Sequence, residues 1–163
     1  MAETTDFELD ELPENIGPHV TDLVRVWYAA RAEDPEQIVP SRDILTAERL
    51  RPWIDDITIY EYMPLKEDFV VRIDAPSIVA LNGESFQRAS PREIDMKYGS
   101  CLTAALFNTM MCGQPTFYHV TLAVRADQHW LRVLLPVRTR NRDGYPVDQI
   151  LGIRFDYEYQ YDI

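Results

Sequence analysis

The chain has 163 residues, 46% of them hydrophobic, which suits one domain with a real core and excludes disorder over most of its length. Sixteen basic against 27 acidic residues give a net charge of −11, which repels nucleic-acid backbones and anionic membrane surfaces, so neither is expected as a partner. With two cysteines, no basic-then-apolar leader and no apolar run near the roughly 18 residues of a membrane span, a cytoplasmic protein is expected.

Residues 1–15 carry six acids and no base, a run that predicts a solvated, flexible tail ahead of a single domain over 16–163. Val20, Leu23, Val24, Trp27 and Tyr28 recur at helical spacing, predicting a helix over Pro18–Glu33 that Pro35 ends. Thr46 is a good N-cap for a short helix from Ala47 to Trp53, which Pro52 keeps to one or two turns. The period then changes. Ile57–Tyr62 and Asp68–Ile73 alternate as the two strands of a hairpin. Helix-compatible fragments between Pro76 and Met96 precede a firmer helix over Gly99–Cys112, striped by Leu102, Leu106, Phe107 and Met110 and closed by Gly113 and Pro115. Strands follow at Thr116–Val124, His129–Val137 and Val147–Tyr157, with Asp143-Gly144 in the last turn.

This order predicts an α+β fold, a five-stranded antiparallel sheet with helices packed on one face and an N-terminal helix. Parity assigns one inner face to Phe69, Val71 and Ile73, to Tyr118, Val120, Leu122 and Val124, to Leu131, Val133, Leu135 and Val137, and to Leu151, Ile153 and Phe155. That face is expected to meet the Leu102/Leu106 stripe, with no polar machinery between them.

The residues offer little that points to catalysis. His19, His119 and His129 are scattered and Cys101 and Cys112 form no Cys-x-x-Cys pair, so no metal is expected. Ser85, Ser90 and Ser100 stand outside any G-x-S-x-G context, and Asp55-Asp56 reads as a solvated turn more simply than as an acid/base pair. No catalytic residue is expected. Arg138, Arg140 and Arg142 can hold an anionic ligand or an acidic segment, or form a solvated loop. Tyr157, Tyr159 and Tyr161 either continue the last strand or make an exposed sticky edge. Phe107, Met110, Met111, Tyr118, Leu122, Leu135 and Phe155 are the candidate ligand pocket between the long helix and the sheet, with ordinary core packing as the alternative. Val20, Leu23, Val24 and Trp27 are the candidate dimer interface, with docking on the domain's own sheet as the alternative.

Four phrases in order carry a resemblance. Trp27 in the first helix is followed by Pro40-Ser41-Arg42, by Leu50-Arg51-Pro52-Trp53 before the first strand, by Phe69-Val70-Val71-Arg72-Ile73, and by Ile150-Leu151-Gly152. Over about residues 20–157 the chain resembles the PAS family, in a bacterial, free-standing variety. It departs where similar proteins usually have Gly-Thr after the second strand and this chain has Ala75-Pro76. The resemblance implies a sheet with helices over one face and a role in sensing or partner docking, often as a dimer. Flavin-photosensing relatives carry an Asn-Cys-Arg-Phe-like phrase and haem relatives a histidine on the long helix; this chain has neither, so no cofactor is expected. The expected function is a non-enzymatic sensory or protein-interaction domain, homodimeric, that binds a small organic ligand and signals through a partner protein. The alternative is a small enzyme of the cone-shaped fold resembling ketosteroid isomerase, which needs a buried Asp or His aimed into a cavity; parity points His119 away from the core.

Overall fold

The computed structural model describes residues 5–121 and 129–156. Six antiparallel strands form one open sheet in the order β1-β4-β5-β6-β2-β3. They are β1 (Thr5–Leu9), β2 (Ile57–Met63), β3 (Asp68–Ile73), β4 (Thr116–Thr121), β5 (His129–Arg140) and β6 (Pro146–Asp156). Helix α1 (Pro18–Glu33) packs on one face; α2 (Pro76–Asn82), α3 (Pro91–Tyr98) and α4 (Leu102–Cys112) lie over the other. The fold is therefore α+β with an antiparallel sheet, as expected, but the sheet gains a sixth strand and both of its faces are covered.

The sixth strand comes from the segment expected to be a tail. Thr5–Leu9 pairs with β4 in the register Phe7↔His119, and Phe7 stacks against the His119 ring at 5.0 Å. The acids of this segment do not simply repel one another, because Asp6 meets Arg132 of β5, 126 residues away in the chain.

The single inner face read from parity is two faces. Phe69, Val71, Tyr118 and Val120 pack with Leu102 and Leu106 of α4. Leu131, Val133, Leu135, Val137, Leu151, Ile153 and Phe155 instead pack with α1, and Ile73 is 48% exposed. Strand β5 lies mid-sheet and buries both parities, Leu131 and Val133 toward α1 and Leu134 toward α4. A strand buried on both sides loses the alternation that would say which helix each face meets. Leu122 and Val124 lie outside the described residues.

Helix α1 spans the range the periodicity predicts. Pro18 occupies the first turn, where its missing N–H costs nothing, and Val20, Leu23, Trp27 and Ala30 are its buried stripe. Val20, Leu23 and Trp27 are thus spent on the chain's own sheet and are not open to a second subunit; Val24 beside them is half-buried. Trp27 Nε1 donates to the carbonyl of Pro136 at 2.8 Å. Strand β4 ends opposite Leu134, and beyond it residues 40–42 take its place along β5. Arg138 N donates to Pro40 O at 3.0 Å and Arg42 N donates to Arg138 O at 2.8 Å. The short helix expected at Ala47–Trp53 is replaced by turns and a 3-10 helix over Arg51–Asp56, consistent with Pro52 at its start; Trp53 is buried there and donates to His19 O of α1 at 2.9 Å.

The outer edge of β3 is covered by the chain's own backbone. Val71 N donates to Ala89 O at 2.9 Å and Arg88 N donates to Val71 O at 2.7 Å, which satisfies groups that would otherwise invite another strand. Ser90 and Glu93 form a capping box at the start of α3, and Asp95 of α3 accepts from Leu102 N and Thr103 N, capping α4 in turn. Among the described residues no helix is long and apolar enough to cross a membrane, and no group of three or more His, Cys, Asp or Glu side chains is placed to hold a metal ion.

Candidate functional site

A cavity of about 360 Å³ lies between the sheet and helices α2 and α3. Its floor is the even-numbered side of β5 and β6, Trp130, Arg132, Leu134, Gly152 and Arg154, with Tyr60 of β2 beside them. Ile78 and Leu81 of α2 and Ile94 and Tyr98 of α3 form the opposite wall, and Asp74 and Phe86 stand in the loops flanking α2. The Asp74 carboxylate accepts from Phe86 N at 2.8 Å, tying the loop after α2 to the end of β3. At the α3–α4 corner Ser100 Oγ donates to Asp95 at 2.6 Å.

Gly152 explains why the floor can be this shape. A Cβ there would stand 2.8 Å from Cε2 of Tyr60 and 3.4 Å from Cδ2 of Leu134, so the glycine is the seat of the tyrosine ring. Gly152→Ala is expected to displace that ring and cost about 1–3 kcal/mol, measured by denaturant unfolding; unchanged stability would show that the ring has somewhere else to go. Burial pushes the Tyr60 hydroxyl up to about 12, with the Arg132 charge opposing the shift, so near neutral pH it is an uncharged group.

The electrostatics of the floor are unusual for a chain of net charge −11. Arg132 and Arg154 are direct register partners on neighbouring strands, and both line the cavity. Like charges facing across a sheet destabilise it unless each is compensated. Arg132 Nη1 donates to Asp6 Oδ2 of β1 at 2.7 Å, with side-chain exposures of 11% and 2%. Arg154 meets Asp156 at 3.2 Å and lies 4.0 Å over the Trp130 ring, a cation–π contact. The interior on this face therefore holds ionisable groups, where an apolar space was expected.

Of the seven pocket residues expected from the sequence, the six that are described do not line this cavity. Phe107 and Met110 pack beside the α4 core, Tyr118 is buried within it, and Met111 is 81% exposed. Leu135 and Phe155 belong to the opposite, α1-side core. Leu122 lies outside the described residues. Asn108 of α4 donates to the Tyr118 hydroxyl at 2.7 Å, and burial raises that phenol. Of the basic group, Arg138 and Arg140 lie within β5 and Arg142 in the turn after it: Arg138 pairs with Asp148 at 3.1 Å and Arg140 donates to Gly144 O at 2.9 Å. Cys101 and Cys112 are both exposed, and Tyr157, Tyr159 and Tyr161 lie outside the described residues. His119 sits with Phe7 and His129 on a sheet face away from the cavity; burial first, then the neighbouring imidazole, lowers its pKa.

The residues that sequence reading missed are Tyr60, Asp74, Trp130, Arg132 and Arg154. One signal was present: Arg132 and Arg154 interrupt otherwise apolar strands at the alternate parity, where a charge needs a reason. Comparison of the chain with protein-family models, with curated proteins and with solved structures returned no match.

Proposed function

We propose that the chain is a PAS-like sensory domain that binds a small organic molecule in the cavity over β5 and β6, performs no reaction itself, and passes its signal to a partner protein in the cytoplasm. The cavity carries this reading. At about 360 Å³ it falls within the range of small-molecule sites, and it combines aromatic and aliphatic walls with a few convergent polar groups. An antiparallel sheet with α2–α4 over one face is compatible with the architecture the resemblance implies, although the sixth strand and the covering of the other face by α1 depart from it. The isomerase alternative asks for an acid or imidazole aimed at a substrate. His119 belongs to another part of the sheet, and Asp74 has one carboxylate oxygen committed to Phe86 N.

Native mass spectrometry of freshly purified protein tests the proposal. A bound small molecule is expected, and its loss from an Ile78→Trp variant, whose indole would fill the cavity from α2, would locate it. A bare mass for the parent chain, with no thermal stabilisation by any member of a small-molecule library, would overturn the reading.

A further inference from the structure

We infer that the cavity takes an organic anion, a single carboxylate on a flat apolar body, and that Asp6 of β1 is the internal carboxylate which this ligand displaces from Arg132. The inference rests on the cavity being a ligand site.

The ligand class follows from the floor. Arg132 and Arg154 place two guanidinium forks side by side, each able to grip a carboxylate through paired N–H donors. Arg154 is held by Asp156, whose side chain is 82% exposed, and such an exposed pair contributes little. Its charge is therefore available to a guest. Trp130, Phe86 and Leu134 supply apolar surface for the rest of the molecule. Asp74 lines the same cavity and disfavours a second negative charge on the ligand.

The displacement follows from Asp6. Its side chain is 2% exposed, Oδ2 accepts from Arg132 and from Cys101 N at 3.1 Å, and Oδ1 is buried with no hydrogen-bond partner. A buried carboxylate oxygen without a donor is costly, so Asp6 is an imperfectly satisfied occupant of the arginine. It is also delivered by a five-residue strand at the edge of the sheet, paired with β4. An incoming carboxylate competes with Asp6 for one guanidinium and repels it. The bound state therefore favours an undocked β1, and by linkage an undocked β1 favours binding. Occupancy becomes a change at the N-terminal edge of the sheet.

The test uses phenylacetate and its uncharged counterpart phenylacetamide, titrated calorimetrically into the full chain, into Asp6→Asn and into Arg154→Gln, with hydrogen exchange of the β1 amides followed in parallel. Asparagine keeps a carbonyl acceptor for Arg132, and Arg154 pairs with Asp156 of its own strand, so it tests the anion site apart from the Asp6 contact. Phenylacetate is expected to bind more tightly than the amide and to speed exchange over Thr5–Leu9. Asp6→Asn should tighten phenylacetate about tenfold, since one competing charge is gone, and leave the amide unchanged. Arg154→Gln should weaken phenylacetate about tenfold. Equal binding of acid and amide, or weaker phenylacetate binding by Asp6→Asn, overturns the inference while leaving the cavity a ligand site. No binding of either compound to the parent chain or to Asp6→Asn overturns the inference, and the mass measurement and library screen above then decide separately whether the cavity is a ligand site.

Discussion

Trp27→Ala is expected to cost about 3–5 kcal/mol from the lost side chain alone, a large part of the about 5–15 kcal/mol that holds a typical domain together. The ring is fully buried in the core between α1 and the sheet, among Leu23, Leu135 and Val137, so its removal leaves a cavity with nothing at hand to fill it. Its Nε1 also satisfies the Pro136 carbonyl, and leaving that acceptor without its donor adds about 1–3 kcal/mol. Trp27→Phe helps to separate the two effects, because it keeps most of the volume while removing the N–H. Urea unfolding of the three proteins measures both. If Trp27→Ala changed the sedimentation coefficient of the folded chain while leaving its unfolding midpoint in place, the indole would be an intersubunit contact and the intrachain seat described here would be wrong.

Trp27 belongs to the part of the fold that was readable from the sequence, and the reason is local. The α1 stripe, the β2–β3 hairpin and the Gly113 stop are each written within one element, in periodicity and capping. The phrases that carry the family resemblance also have structural explanations. Residues 40–42 extend the sheet beside β5, Trp53 ties the 3-10 helix to α1, and Gly152 seats Tyr60. What sequence reading lost was non-local. The alternation that names an inner face fails for β5, because Leu131 and Leu134 are both fully buried on opposite sides. With that strand turned over in the reading, Leu135, the pocket candidate drawn from it, faced the wrong helix. Strand β1 was invisible for a related reason: an acidic segment reads as solvated until its distant counter-charge is known, and Arg132 stands 126 residues away.

Arg132→Met is expected to detach β1 from the sheet. Methionine keeps much of the volume under the cavity but leaves Asp6 buried without a cation, a state that costs about 3–5 kcal/mol. The chain can avoid that penalty by giving up β1. The strand sits at the sheet edge and buries Phe7 and Leu9 only in part, Phe7 being 43% exposed when docked, so release gives up less apolar burial than the loss of a full core side chain. The smaller cost decides the outcome. Hydrogen exchange over Thr5–Leu9 should rise sharply in the variant, while the global loss of stability stays below that of Trp27→Ala. Adding Asp6→Leu should dock the strand again, because a buried ion pair can be replaced by an apolar pair of similar volume at little or no cost, whereas half of one cannot. The double variant would then hold β1 without any charge for a carboxylate to compete for, so phenylacetate should no longer speed its exchange. Unaltered protection of Thr5–Leu9 in Arg132→Met would mean that Asp6 is solvated where it stands, and the ion pair would lose its place both in the stability of β1 and in its release.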